Sequence, residues 1–405
     1  MSPRTVAVTG LGLLTGAGLD LESCWQGVLG GRSPAKRFGL FDPEGLTVPF
    51  GIELPAGADE LFKSRIKTRH RTLMTRGTAI ALVTADMAMA DARLDADALD
   101  RARVGVVVGT TGTGYAPPSA GADPHRILRN MSNSPAAWLS LVKKLAGPSF
   151  AVSTACSSGA YALAAGFALI QGGLCDVVVA GAADSSLNAV DVQGFAALLA
   201  LSEQAEHPEL ACRPFDRARS GFVMGEGGGF LVLERVEHAR ARHARTYAHM
   251  SLPGLSSESY NILSPEPGGQ GMAATMRLAL RQAELAPEAI GYLNAHGTST
   301  DLNDLYEAQA IATVFGRHTA NLAVSSTKSV TGHCLAGAAG VEAVIACLAL
   351  RDGLVPPTGN LTEPDPAIDL DLVRGEPRRV ALAHVMSNAF AFGGHNGVCI
   401  FSTPA

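Results

Sequence analysis

Two stretches of this chain echo one another, and the echo constrains its fold more than any other feature. FAVSTACSSGAYALAAGFALIQGGL, from Phe150, and LAVSSTKSVTGHCLAGAAGVEAVIACLALRDGL, from Leu322, both read as a short apolar strand, a Ser/Thr-rich turn and an Ala/Gly-rich helix. Recurrence of one strand–turn–helix unit points to duplication. It sets Cys156 in one turn and Lys328 and His333 in the other, facing one cleft.

The rest of the chain fits such a plan. Short β-type runs recur at 5–9, 104–108, 177–180, 230–233, 290–293 and 398–401, with Ala-rich helical segments at 78–90, 160–171 and 338–351 between them. This alternation predicts an α/β layered fold. With 405 residues, 47% hydrophobic and only 17% charged, the chain can bury a large core and suggests two domains or two halves of one. The expected division is 1–245, carrying Cys156, and 246–405, carrying the two histidines introduced below. Pro/Gly-rich stretches at 56–59, 116–124 and 265–271 read as surface loops.

A net charge of −5 gives no global attraction to nucleic acid or to an anionic membrane surface. No secretory h-region with a cleavage site opens the chain, and no uninterrupted apolar run has bilayer length, so a cytoplasmic protein is expected. Seven cysteines are scattered without a CxxC pair, which argues against disulfides and a structural zinc site. Most sit in apolar runs, where a free thiol behaves as a small hydrophobe.

Cys156 is the exception. It lies between a strand and a predicted helix, where free N–H groups and the helix dipole favour a thiolate and are expected to lower its pKa. Small flanking residues leave room for a substrate. Two histidines could serve it: His296 in NAHGTST and His333 in STKSVTGH, each after a strand and before small residues. Taken singly, such a cysteine is as readily a buried turn residue, and such a histidine is more often structural.

Taken together, these segments resemble an elongating β-ketoacyl synthase, the condensing enzyme of type II fatty acid and polyketide synthesis in the thiolase-like superfamily. Six motifs appear in order along nearly the whole chain: VTGLG from Val8, TACSSG from Thr154, RPFDRARSGFVMGEGGG from Arg213, NAHGTST from Asn294, STKSVTGH from Ser326 and SNAFAFGGHN from Ser387. The resemblance implies a duplicated, five-layered α-β-α-β-α thiolase-like fold, which the echo supports. It implies decarboxylative condensation of an acyl thioester with a malonyl thioester. The substrates would be carried on the phosphopantetheine of an acyl carrier protein, with no metal or bound cofactor.

Carried over position by position, the resemblance makes Cys156 the acyl-accepting nucleophile. His296 and His333 become the donors that meet the enolate oxygen after decarboxylation, and Lys328 the accompanying lysine. Asp304 and Glu307 fall on acidic positions whose expected work is positional, with a buried Lys–Glu pair holding His333 and the cleft in order. Thr298 and Thr300 match threonines that bind the pantetheine amides. Phe392 matches the gating phenylalanine, its amide N–H sharing the oxyanion site with that of Cys156. The basic run holding Lys63, Arg65, Lys67 and Arg69 matches the carrier-docking region, although such runs are usually just a solvated face. Without interleaved aromatics it is a poor nucleic-acid site.

Departures from the family pattern stand at four places. Gly112 replaces a bulky aliphatic residue of the acyl pocket, which predicts a deeper or wider pocket. The stretch between Gly114 and Cys156 is shorter than usual, in a region that helps form the dimer interface. Leu199 replaces an arginine, and Ala391 a glycine beside the gate. The first two favour a specialised type II polyketide system.

Other readings are weaker. The GLGLLTG run at Gly10 misses the dinucleotide fingerprint by one place and lacks its acidic partner. A thiolase would need a second cysteine near the C-terminal glycine-rich loop, whereas an acyltransferase of this fold working without decarboxylation stays as an alternative. A ketosynthase-like chain-length factor would lack the nucleophile. The chain is therefore expected to be the catalytic member of a homodimer, or of a heterodimer with such a factor.

Overall fold

The computed structural model describes residues 5–94, 99–112, 123 and 125–404. Eleven strands form one large mixed sheet: β1 (Thr5–Thr15), β2 (Val104–Gly109), β3 (Ser149–Val152), β4 (Val177–Asp184), β5 (Gly227–Glu234), β6 (Ala248–Ser251), β7 (Gly254–Ser257), β8 (Tyr292–Asn294), β9 (Ala323–Ser325), β10 (His384–Ala391) and β11 (His395–Ser402). Six helices matter for the site: α1 (Arg76–Asp91), α2 (Ser158–Gln171), α3 (Ala189–Ala197), α4 (Gln270–Ala283), α5 (Asp301–Phe315) and α6 (Ala338–Asp352).

The strand order is β9-β8-β10-β11-β6-β1-β5-β4-β2-β3, with β7 also paired to β11. With β7 left out of the count, each half runs first, fifth, fourth, second, third outward from the centre. The strand senses agree as well. β4–β2 and β2–β3 are parallel while β5 is antiparallel to β1 and β4. In the other half β10–β8 and β8–β9 are parallel while β11 is antiparallel to β6 and β10. β1 and β6 join the halves in antiparallel sense. The echoed segments therefore occupy equivalent places, as the outermost strand of each half and the helix after it.

Those two helices form the middle layer. α2 packs on β2 and β4 and reaches β11, whereas α6 packs on β5 and β4 and reaches β10, and the helices also touch each other. α1 covers the outer face of the first half, α4 and α5 that of the second. This gives the expected α-β-α-β-α layering.

A helix enclosed on all sides must be apolar all round. All residues of α6 from Ala338 to Leu350 are buried, and Glu342 is its one charged residue in that run. Small residues permit the crossing: a Cβ on Gly340 would stand 2.5 Å from the carbonyl oxygen of Gly229, and one on Gly159 would stand 2.5 Å from the amide nitrogen of Gly340.

Two of the expected loops differ in part. Residues 58–59 open the helix Ala58–Arg65, and 270–271 open α4, each after a glycine with positive φ. Asp59 and Glu60 favour that first turn through the helix dipole. Of the expected loop at 116–124, all but residue 123 lies outside the described residues. Among the described residues no helix is long and apolar enough to cross a membrane.

Candidate active site

Cys156 sits in the turn between β3 and α2, two residues before the helix begins and 6% exposed. The turn is tight. Ala155 takes φ +49, the amides of Ser157 and Ser158 donate back to Thr154 and Ala155, and Ser158 Oγ donates to the Ala155 carbonyl at 2.6 Å. Burial pushes the Cys156 thiol up to about 12, opposed by the Lys328 charge and by the backbone amide of Phe392 against the sulfur. The expected lowering of its pKa is thus not found. Desolvation of the thiolate outweighs the stabilising charge and amide around it.

His296 and His333 lie on turns after β8 and β9, with ring centroids 5.4 Å apart and planes 82° apart. His296, His333 and Cys156 line one cavity of about 300 Å³, together with Thr298, Thr300 and Phe392. Phe222 and Phe390 stand edge-on to His333 and His296 at 5.1 and 6.2 Å. Burial, with the Lys328 charge behind it, holds both imidazoles well below the usual histidine pKa. Both are therefore neutral near pH 7.

Lys328 lies beneath the cavity and is fully buried. Its ammonium donates to the His296 carbonyl oxygen at 2.6 Å, lies 3.3 Å from His296 Nδ1, and forms an ion pair with Glu342. An ammonium has only donors, so His296 Nδ1 must accept and the ring proton sits on Nε2.

This corrects the expected Lys–Glu pair. The carboxylate is Glu342 from α6, and the lysine orients His296 rather than His333. Glu307 instead accepts from the amides of His296 and Gly297, both at 2.8 Å, and from Asn388 Nδ2 at 3.0 Å. Asp304 accepts from the amides of Phe215, at 2.8 Å, and Ser299, at 3.2 Å. Both acids hold the 294–300 loop from α5, a positional role. Glu342 was legible in one respect: it is a lone charge within the apolar run 338–350, and such a residue wants a buried partner.

Thr298 and Thr300 share a hydrogen bond of 2.9 Å in the cavity wall. Phe392 opens a turn whose next two glycines have φ +82 and +70. It borders both this cavity and a second chamber of about 280 Å³ on the Gly112 side of Cys156. A Cβ on Gly112 would meet nothing within 4 Å. Lys63, Arg65 and Arg69 are exposed on two short helices, Lys67 is exposed just before the second, and none lines the cavity. Lys63 pairs with Glu60 at 3.4 Å and Arg65 with Asp86 at 3.3 Å. Exposed leucines surround the cavity instead: Leu198, Leu199, Leu263 and Leu302, with Leu199 83% exposed.

A duplicated thiolase-like fold with a buried cysteine and two neutral imidazoles in one cavity defines a condensing acyltransferase. The chain matches the family models of the β-ketoacyl synthase N-terminal domain over residues 3–239 and C-terminal domain over 247–362, and it belongs to the β-ketoacyl synthase family. It is 36% identical over 413 residues to 3-oxoacyl-[acyl-carrier-protein] synthase 2 of Synechocystis sp., covering 99% of this chain and 98% of that one. To the synthase 2 of Vibrio cholerae it is 37% identical over 415 residues, covering 99% of each. Among solved structures, a β-ketoacyl synthase from Burkholderia phymatum superposes with TM-score 0.91 at 33% identity, over 99% of this chain and all of that one. The ishigamide ketosynthase/chain length factor superposes with TM-score 0.91 at 30% identity over all of both chains.

Proposed function

We propose that this chain condenses an acyl group held on Cys156 with a malonyl group delivered by an acyl carrier protein, giving a 3-oxoacyl-carrier product. The observation that carries this reading is the convergence of Cys156, His296 and His333 on one cavity. In the first half-reaction the Cys156 sulfur attacks the acyl thioester, the carbonyl–sulfur bond to pantetheine breaks, and the Cys156 thiol proton passes to the departing pantetheine sulfur, which leaves as the thiol. Backbone amides of Cys156 and Phe392 meet the oxyanion. In the second, malonyl loses CO₂ and its enolate oxygen is met by Nε2–H of His296 and of His333. The carbanion then forms a carbon–carbon bond to the acyl carbonyl and releases Cys156.

Neutral imidazoles suit this step. Donors already oriented where charge develops need no reorganisation, and removing one such donor typically costs about 2.7–4 kcal/mol of barrier. Lys328 positions His296 for it, and Thr298 and Thr300 receive the pantetheine amides. We assign Lys63, Arg65, Lys67 and Arg69 to docking of the acidic carrier on charge complementarity. Intact-protein mass spectrometry after incubation with an acyl-loaded carrier tests the central claim. An adduct on the wild type and none on Cys156→Ala is expected, and no adduct from any donor on folded protein would overturn it.

A second ketosynthase-like subunit, either another copy or a chain-length factor, fits the open edge of the sheet. Among the described residues β3 pairs only with β2, and its Phe150 is 37% exposed, so an open strand edge and an apolar side chain call for cover. The ishigamide relative is a ketosynthase/chain length factor. A mass in solution equal to one chain at micromolar concentration would count against self-association.

A further inference from the structure

The chamber on the Gly112 side of Cys156 has a wall that the condensing step does not use. Thr111, Ser186 and Asp191 stand in it, with Phe195 beside them. Behind the wall lies Asp184, the last residue of β4, with no exposed surface. Thr111 Oγ1 donates to Asp184 Oδ2, and Ser186 Oγ donates to Asp184 Oδ1 at 2.8 Å.

Each hydroxyl has one proton, and in both that proton is committed to Asp184. What Thr111 and Ser186 can offer the chamber is therefore a lone pair. Asp191, in the first turn of α3, accepts from Asn188 Nδ2 through Oδ2 at 2.7 Å, and its other oxygen remains an acceptor. Among the described residues, the three polar side chains of the wall thus present acceptors. A saturated acyl chain would cover them with methylenes and strip their water without replacing its hydrogen bonds, which is unfavourable. A keto oxygen would set acceptor against acceptor. A hydroxyl or amino group supplies the donor.

We propose that this chamber selects a short acyl group bearing a hydrogen-bond donor, a hydroxyl or an amine, over a saturated acyl group of equal length, with Ser186 and Asp191 setting the preference. The volume of about 280 Å³ lies at the small end of ligand cavities and suits a short chain. Gly112, with open space at its missing Cβ, leaves that chain a path beside Cys156. This assignment rests on the reading of Cys156 as the acyl acceptor.

The test offers the whole protein an equimolar mixture of a hydroxylated and a saturated acyl group of equal length, loaded on the same acyl carrier protein, and reads the ratio of the two adduct masses on Cys156. The wild type is expected to favour the hydroxylated group by about tenfold, the worth of one well-placed hydrogen bond. Ser186→Ala and Asp191→Leu should each bring the ratio close to one. Two variants are used because Asp191 also takes part in capping α3. Adducts of both kinds without preference, or a preference unchanged in both variants, would overturn the selection while leaving the condensing reading intact. No adduct from either donor would remove the condensing reading and the selection with it.

Discussion

The Lys328 ammonium lies 3.3 Å from His296 Nδ1 and 2.6 Å from the His296 carbonyl oxygen. One buried cation thus orients an imidazole and fixes its tautomer, and its charge disfavours protonation of the same ring. The cation is itself neutralised by Glu342, whose carboxyl burial pushes up to about 7.

Lys328→Met should therefore reach both chemistry and stability. It leaves Glu342 buried without its partner, and breaking a buried ion pair on one side typically costs about 3–5 kcal/mol. It also frees His296 Nδ1 to take the proton, which removes the Nε2–H donor. Decarboxylation of malonyl-carrier is expected to fall by about a hundredfold or more, the effect of losing one oriented donor. Pairing it with Glu342→Gln should recover thermal stability without recovering decarboxylation. Melting curves and CO₂ release would check the split, and equal recovery of both would show the lysine to be structural only.

Acid should destabilise the fold through the two imidazoles. Burial and the Lys328 charge hold the folded pKa values of His296 and His333 below the ordinary 6.5, so the unfolded chain binds protons more readily. Their contribution is fully present above the unfolded value and is lost as pH falls below it toward the folded pKa. Urea midpoints measured from pH 7.5 to 5 should fall with acid in the wild type. The fall should be shallower in His333→Asn, which removes one of the titrating groups.

The middle layer should not tolerate a single added methyl. In Gly340→Ala the new Cβ would meet the Gly229 carbonyl oxygen at 2.5 Å, where backbone on both sides cannot yield cheaply. Overpacking of this kind typically costs about 1–3 kcal/mol. A drop in melting temperature is expected, whereas Gly30→Ala, where a Cβ meets nothing within 4 Å, should leave it nearly unchanged.

Much of this protein was legible in its residues because local chemistry determined it. The echo around Cys156 and around Lys328 and His333 determined a repeated strand–turn–helix unit, since apolar runs, small-residue turns and Ala-rich helices carry their own signatures. Six ordered motifs marked Cys156, His296, His333 and Phe392, which the fold brings to one cavity. Tertiary structure alone decided which distant groups meet. Spacing along the chain could not pair Lys328 with Glu342, because only the burial of α6 between two half-sheets carries that carboxylate to the ammonium. Nor could it foresee that desolvation would raise the Cys156 thiol against the pull of its helix, or that Asp184 would claim the protons of Thr111 and Ser186. Burial and hydrogen-bond partnership are properties of the packed chain, and they set what each side chain can do.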